Sequence, residues 1–123
     1  MSFEQNIKSL SRTAAVDCTS AKNRFVAQNA AGLIAPVSVA GGQAMGVLRN
    51  NPLAGNIATV AYEGAPRVVI GAAPLNAGVL ITSDATGAAI AAAAGNYILA
   101  ETLVAGNPGD IVPVLLRNAG AKA

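Results

Sequence analysis

From Arg12 onward, short runs rich in Val, Ile and Leu alternate with clusters of Gly, Pro, Asn and Asp. The clusters are Gly41-Gly42, Asn50 to Gly55, Glu63 to Pro66, Pro74 to Gly78, Asp84 to Gly87, Gly95-Asn96 and Gly106 to Gly109. They recur about every 9–12 residues, the interval of an all-β sandwich or barrel. Gly supplies positive φ, Pro presets φ, and Asn or Asp bonds its own backbone, so each cluster turns the chain for a physical reason. The runs between them predict strands over Thr13–Asp17, Phe25–Gln28, Leu33–Val39, Ala44–Leu48, Ile57–Tyr62, Arg67–Ala72, Val79–Ser83, Tyr97–Leu103 and Asp110–Arg117. Ala88–Ala94 has the composition of a helix, because alanine is the best helix former. Yet Gly87 and Gly95 confine it to about two turns with Ile90 as its one large residue, so it too reads as extended.

Burial follows from the same pattern. Both faces of Ile57–Tyr62 are largely apolar, and Val68-Val69-Ile70 and Val79-Leu80-Ile81 are continuous apolar runs, which predicts cover on both sides. Pro113 lacks a backbone donor, so the last strand is expected at an edge or with a bulge. The first residues differ: Phe3, Ile7 and Leu10 fall at i, i+4 and i+7, the spacing of one helix face. Such a short helix either folds back on the domain or becomes ordered on a neighbouring subunit. The expected organisation is an N-terminal arm or short helix over 1–11, one β domain over 12–118 and a flexible C-terminal tail over 119–123. The fold class is all-β, a small compact β-barrel or β-sandwich of about 7–9 short strands.

Composition sharpens this picture. The chain of 123 residues has length for a single domain. Its 53% hydrophobic content rests on 28 alanines and on 30 Val, Ile and Leu residues, with four aromatics, Phe3, Phe25, Tyr62 and Tyr97. Alanine contributes little on burial, so the core depends on the branched residues, 20 of which are β-branched and favour strands. Charged residues make up 11%, less than half of the usual ~25%. A small surface so poor in charge is suited to cover by other subunits.

The net charge is +2, with Lys8, Arg12, Lys22 and Arg24 close together near the start and Arg49, Arg67, Arg117 and Lys122 spread beyond them. No basic run alternates with aromatics, so nucleic-acid binding is not expected, whereas the basic N-terminal segment suits an acidic protein face. Cys18 is alone and forms no intrachain disulfide, which fits a reducing cytoplasm. No signal peptide is evident at the N-terminus. Residues 26–48 are uncharged but carry Gln28, Asn29, Gly32, Pro36, Gly41, Gly42, Gln43 and Gly46, too many polar groups and breakers for a membrane span.

The chemistry available is narrow. Histidine is absent, which removes the commonest general base and metal ligand. One thiol without imidazole makes no zinc site. The six carboxylates, Glu4, Asp17, Glu63, Asp84, Glu101 and Asp110, are not close enough in sequence to pair by local geometry, and Glu63, Asp84 and Asp110 read as turn residues. A carboxylate dyad would have to be formed by the fold, for example from Glu63 and Asp84, and nothing marks Lys8, Lys22 or Lys122 as a buried nucleophile. Gly41 to Gly46 lacks Rossmann spacing, and no Walker-type Gly-Lys-Ser/Thr occurs. No catalytic, cofactor or metal residue is therefore assigned.

The order of several segments carries a resemblance. Ala44-Met45-Gly46-Val47-Leu48-Arg49-Asn50-Asn51-Pro52-Leu53-Ala54-Gly55-Asn56-Ile57-Ala58-Thr59-Val60 is followed by Glu63-Gly64-Ala65-Pro66-Arg67-Val68. Then come Ala77-Gly78-Val79-Leu80-Ile81-Thr82-Ser83-Asp84 with Gly87, Ala100-Glu101, and Gly109-Asp110-Ile111-Val112-Pro113-Val114-Leu115-Leu116. This order, over roughly residues 24–117, resembles the small capsid cement or head decoration proteins of tailed bacteriophages. Val79 departs from the polar residue many of them carry after the glycine. The resemblance implies a virion protein made in the host cytoplasm and bound on the capsid exterior. Such proteins often act as trimers and reinforce contacts between major capsid protein subunits. It carries no catalytic motif. Phe3, Ile7, Leu10, Arg12 and Arg49 are the expected protein-interface residues. The competing reading is a non-catalytic β-sandwich module, carbohydrate- or fibre-associated, although four aromatics without Trp give little for sugar stacking.

Overall fold

The structure, a computed structural model, describes residues 7–117 together with 120 and 122. Ten strands are formed. The first five are β1 (Lys8–Thr13), β2 (Phe25–Gln28), β3 (Ile34–Pro36), β4 (Gly46–Leu48) and β5 (Ile57–Glu63). The second five are β6 (Arg67–Val69), β7 (Leu80–Ser83), β8 (Ala89–Ala91), β9 (Ala100–Thr102) and β10 (Ile111–Leu116). They make two antiparallel five-stranded sheets packed as a sandwich-like all-β fold. The sheet orders are β1-β5-β4-β2-β3 and β6-β10-β9-β7-β8, so the same strand plan is used twice.

The repeat extends to single hydrogen bonds. Ala14 bridges in parallel to Ile34 after β1, and Ile70 bridges in parallel to Ala89 after β6. Each bridge draws the outer strands of its sheet together at one point, so the sheets curl strongly without forming fully closed barrels. Ala14 N donates to Asn56 O at 2.9 Å, and Ile70 N to Asp110 O at 2.8 Å. The positive-φ residues Asn23, Gly32, Gly41, Gly55 and Gly64 are matched in order by Gly78, Gly87, Gly95, Gly109 and Gly120, 54–56 residues on.

Each half has its own interior. Ala14, Cys18, Val26, Ile34, Leu48, Ala58 and Val60 cluster in the first half, with Leu10 and Met45 packed against them. Their counterparts Ile70, Leu75, Ile81, Ala89, Val112 and Val114 cluster in the second. Side chains alternate across the first sheet. Val26 and Leu48 point into that interior, while Phe25 and Val47 point the other way and join the second half's cluster with Val37. The junction is tied by Phe25 N to Gly87 O (2.8 Å), Gly41 N to Ser83 O (2.8 Å) and Val69 N to Asn23 O (2.9 Å). Arg24 also reaches across, donating to the Thr86 carbonyl at 3.1 Å and hydroxyl at 3.0 Å. The reciprocal bond, from Leu80 N to Gly32 O, is not made, so the junction is not two-fold.

Several expectations are corrected. The helix over 1–11 is not formed at 8–11, which belong to β1; residues 1–6 lie outside the described residues. Ser9, Ser11 and Thr13 are weak helix formers, and the six-residue ladder from Lys8↔Glu63 to Thr13↔Ile57 wins. The strand over Thr13–Asp17 therefore lies earlier, at Lys8–Thr13. The strands among the described residues number ten: nine correspond to predicted runs, and the tenth, β8, forms within Ala88–Ala94. Ala89–Ala91 is extended as anticipated. Pro113 lies in an interior strand without a recorded bulge. It sits where β10 passes from pairing with β6, over Ile111–Pro113, to pairing with β9, over Val114–Leu116. Gly120 and Lys122, in the expected tail, accept hydrogen bonds from Ile98 N and Gly95 N, both at 2.8 Å.

Candidate protein interface

The chain crosses from one sheet to the other through Gly64-Ala65-Pro66, and a cleft of about 220 Å³ opens beside this crossing. Its walls are Ile7, Lys22, Asn23, Arg49, Ala65, Pro66 and Arg67. Pairing explains how residues this distant in sequence meet. Leu48 N donates to Arg24 O and Asn23 N to Leu48 O, which brings Lys22 and Asn23 beside the end of β4, where Arg49 follows. Val69 N to Asn23 O then brings the start of β6, with Arg67, to the same place.

Of the expected interface residues, the structure joins Ile7 and Arg49 in this cleft. Leu10 instead packs on the first half's interior, opposite Val60. Arg12 is exposed on β1 opposite Ala58, with its guanidinium about 4.0 Å from where a side chain on Gly32 would begin. Phe3 lies outside the described residues. Sequence reasoning missed Lys22 and Arg67. They are ordinary basic residues in the sequence, and only the strand order places them with Arg49.

The charges are unevenly satisfied. Glu63 pairs with Lys8 at 3.1 Å and Glu101 with Arg117 at 3.4 Å. Asp17 accepts from Thr19 N at 2.9 Å, and Asp110 from Asn107 N at 2.9 Å. Asp84 accepts from Thr86 N and Oγ1, both at 2.7 Å, and from Ala88 N at 3.0 Å. Burial by itself would raise the Asp84 carboxyl. The hydrogen bonds from Thr86 and Ala88, with Arg24 nearby, outweigh burial and hold it below the usual carboxylate range. Every carboxylate among the described residues is thus engaged within the chain. Lys22, Arg49 and Arg67 have no ion pair among the described residues, and all three line the one cleft.

A second group of clefts runs along the other side of the junction. One of about 390 Å³ is lined by Phe25, Met45, Tyr62, Glu63, Leu99, Leu116 and Arg117, among others, and adjoins one of about 480 Å³ at Gln28, Gln43 and Met45. Among the described residues the only acid in either wall is Glu63, already paired with Lys8. Asp84 is committed to its own turn, so Glu63 and Asp84 show no sign of acting as a dyad. No group of three His, Cys, Asp or Glu suited to a metal occurs among the described residues. Cys18 is fully enclosed, and burial, with Asp17 adjacent, pushes its thiol above the usual range, away from the reactive thiolate. No helix among the described residues is long and apolar enough to cross a membrane.

The molecule is thus a twice-repeated all-β protein whose surface offers clefts and unpaired cations. No protein-family model matches the chain, and no curated protein matches it. Among solved structures, it is similar to the crystal structure of the head fiber gp8.5 N base in bacteriophage phi29. That likeness has a TM-score of 0.72 at 15% identity and covers 95% of this chain and 99% of that one. It shows a shared fold over nearly the whole length of both.

Proposed function

We propose that this chain is a non-enzymatic structural protein of a tailed-phage virion, binding the capsid exterior and stabilising contacts between major capsid protein subunits. The observation that carries the reading is the nearly end-to-end fold match to a phage head-fiber base, with a TM-score of 0.72 over 95% of this chain and 99% of that one. The order of turn and strand segments over residues 24–117 supports the same class independently. So does the chemistry: without histidine, and with its described carboxylates held in turns and ion pairs, the chain has surface to offer and little with which to react. A cement protein gains by touching several capsid subunits at once, because linked contacts raise one another's effective concentration.

Self-association belongs to this reading, with a trimer favoured. The junction between halves is head-to-tail, leaving the Leu80 face and the Gly32 turn without the contact that Phe25 and Gly87 make. Unlike surfaces of this kind build a closed ring, such as a trimer, when the rotation between copies closes, and an open filament when it does not. A second reading, a fibre-associated module, is favoured by the neighbour being the base of a fiber.

The test is to add purified protein to phage capsids that lack it and measure co-sedimentation and the temperature of capsid disruption. Bound protein with a raised disruption temperature is the expected result. Binding without that rise favours the fibre-associated reading, and no binding removes both. Light scattering on the free protein reports the trimer. Truncation for such work should stop at residue 6, because residues 8–11 are part of β1.

A further inference from the structure

We infer that the cleft of Lys22, Arg49 and Arg67 receives a carboxylate-bearing peptide segment of the partner protein. This deepens the virion-binding reading and rests on it for the partner's identity, though not for the chemistry of the cleft.

The structural repeat supplies the main argument. Lys22, Asn23 and Arg49 of the first half correspond to Ala77, Gly78 and Leu103 of the second. The correspondence is set by matched hydrogen bonds: Asn23 N to Leu48 O with Gly78 N to Thr102 O, and Arg49 N to Thr59 O with Leu103 N to Pro113 O. The backbone at these three positions is therefore built in the second half without a charge at any of them. Folding does not require cations here, and three of them gathered beside one crossing repel one another unless something compensates. Nothing among the described residues does so, because every carboxylate there is engaged elsewhere.

The walls also select the kind of anion. About 220 Å³ holds a few side chains, and Ile7, Ala65 and Pro66 give the cleft an apolar flank beside its charges. Aspartate or glutamate flanked by apolar residues fits both features. A nucleic acid would need an extended basic track and aromatic stacking, and no aromatic among the described residues lines this cleft. Arginine adds directional, two-pronged hydrogen bonding to carboxylates.

The probe is a labelled peptide with three glutamates interspersed with leucine and alanine; an oligothymidylate of similar charge is the comparison. Binding is read by polarisation at low and high salt, and its place by amide NMR shifts on the full chain. Expected are salt-sensitive binding, shifts centred on residues 22–23, 49 and 65–67, and about tenfold weaker binding for R49Q/R67Q. Arg49→Lys, which keeps the charge but not the two-pronged geometry, should weaken binding less than Arg49→Gln does, and Arg12→Gln, which removes a cation outside the cleft, should change it less than twofold. Melting curves of the variants confirm that the exposed substitutions leave the fold intact.

Shifts elsewhere, no localised shifts at millimolar peptide, or tighter binding of the oligothymidylate to the same residues would each overturn the inference. The capsid assay separates the two readings. If wild-type protein binds capsids and K22Q/R49Q/R67Q binds them equally well, this inference fails and the virion reading stands. If wild-type protein binds no capsid while the peptide maps to the cleft, the virion reading fails instead.

Discussion

Inside the first half, Ala14, Cys18 and Ala58 occupy the positions that Ile70, Leu75 and Val112 fill in the second, while Ile34 and Leu48 stand where the second half has Ala89 and Thr102. Large and small residues have changed places, and each interior remains filled. Cores tolerate such exchange when total volume and patterning are kept. The halves therefore share a backbone plan and differ in how they satisfy it, so each acts as a control for the other. Where both use the same type of residue, as Val60 and Val114 do, the fold accounts for it. Where only one half carries a charge, an aromatic ring or a glycine, some local demand has to be found.

Phe25 and Leu80 give the largest contrast. Phe25 is inaccessible because the second half covers it, whereas Leu80, its counterpart, has no matching cover among the described residues and is partly exposed. Phe25→Ala should cost about 3–5 kcal/mol, and Leu80→Ala about 1–2 kcal/mol, in proportion to the smaller area it buries. Denaturant unfolding checks both. Equal losses would mean that Phe25 serves its own sheet, not the junction. A change in m-value for Phe25→Ala alone would show the halves beginning to unfold separately.

Gly46 and Ala100 come next. They are matched by their pairing with Val26 and Ile81, yet a Cβ on Gly46 would run into the Ala61 carbonyl, a backbone group that cannot turn aside. Gly46→Ala should destabilise by roughly 1–3 kcal/mol. Ala100→Gly should lose about 1 kcal/mol, through chain entropy and a lost methyl. If Gly46→Ala is neutral in thermal melts, the two sheets are spaced alike and the contrast disappears.

A smaller effect is expected at the left-handed pair. Asn23 has φ of 66°, and its counterpart Gly78 has φ of 78°. Asparagine tolerates this region, and alanine does not, so Asn23→Ala and Gly78→Ala should each cost about 1–2 kcal/mol. Asn23→Gly should be close to neutral by the same measurement, since Gly78 performs that turn already.

This pair also shows why the repeat was hard to see. The turn clusters, their spacing and the predominance of strands were legible, because Gly, Pro, Asn and Asp act through local backbone geometry. The 55-residue period was not, because the halves use chemically different residues for one conformation: Asn23 for Gly78, Asn29 for Asp84. Reversal at Lys8–Thr13 had a similar cause. The Phe3, Ile7, Leu10 spacing is local, whereas the ladder with β5 is set by residues about 50 positions away. Ile7 and Arg49, two of the expected interface residues, line one cleft, although Ile7 was chosen for a helical spacing that β1 replaces. Lys22 and Arg67 join them only through the strand order, which no local pattern encodes.

Asn29 and Asp84 provide the most delicate test, since they build the same turn with an amide in one half and a carboxylate in the other. Asn29 Oδ1 accepts from Ala31 N at 2.9 Å and Leu33 N at 3.1 Å, as Asp84 Oδ1 does from Thr86 N and Ala88 N. The folded Asp84 carboxyl titrates below its unfolded value of about 3.8, despite the burial that opposes it. Its contribution to stability is therefore complete above about pH 4 and is lost as the pH falls through the folded value. Asp84→Asn should flatten the fall in Tm below pH 4 by about 1–2 °C, a small effect because the group is largely solvated. Near pH 7 the same variant should lose little, because an amide oxygen already holds the matching turn at Asn29. Asn29→Asp should add a weaker acid-sensitive step, since Val79 stands where a partner for it would be and Arg24 serves Asp84 alone. Should both variants respond to acid alike, Arg24 has no share in holding the Asp84 carboxylate, and its reach to Thr86 is a packing contact across the junction.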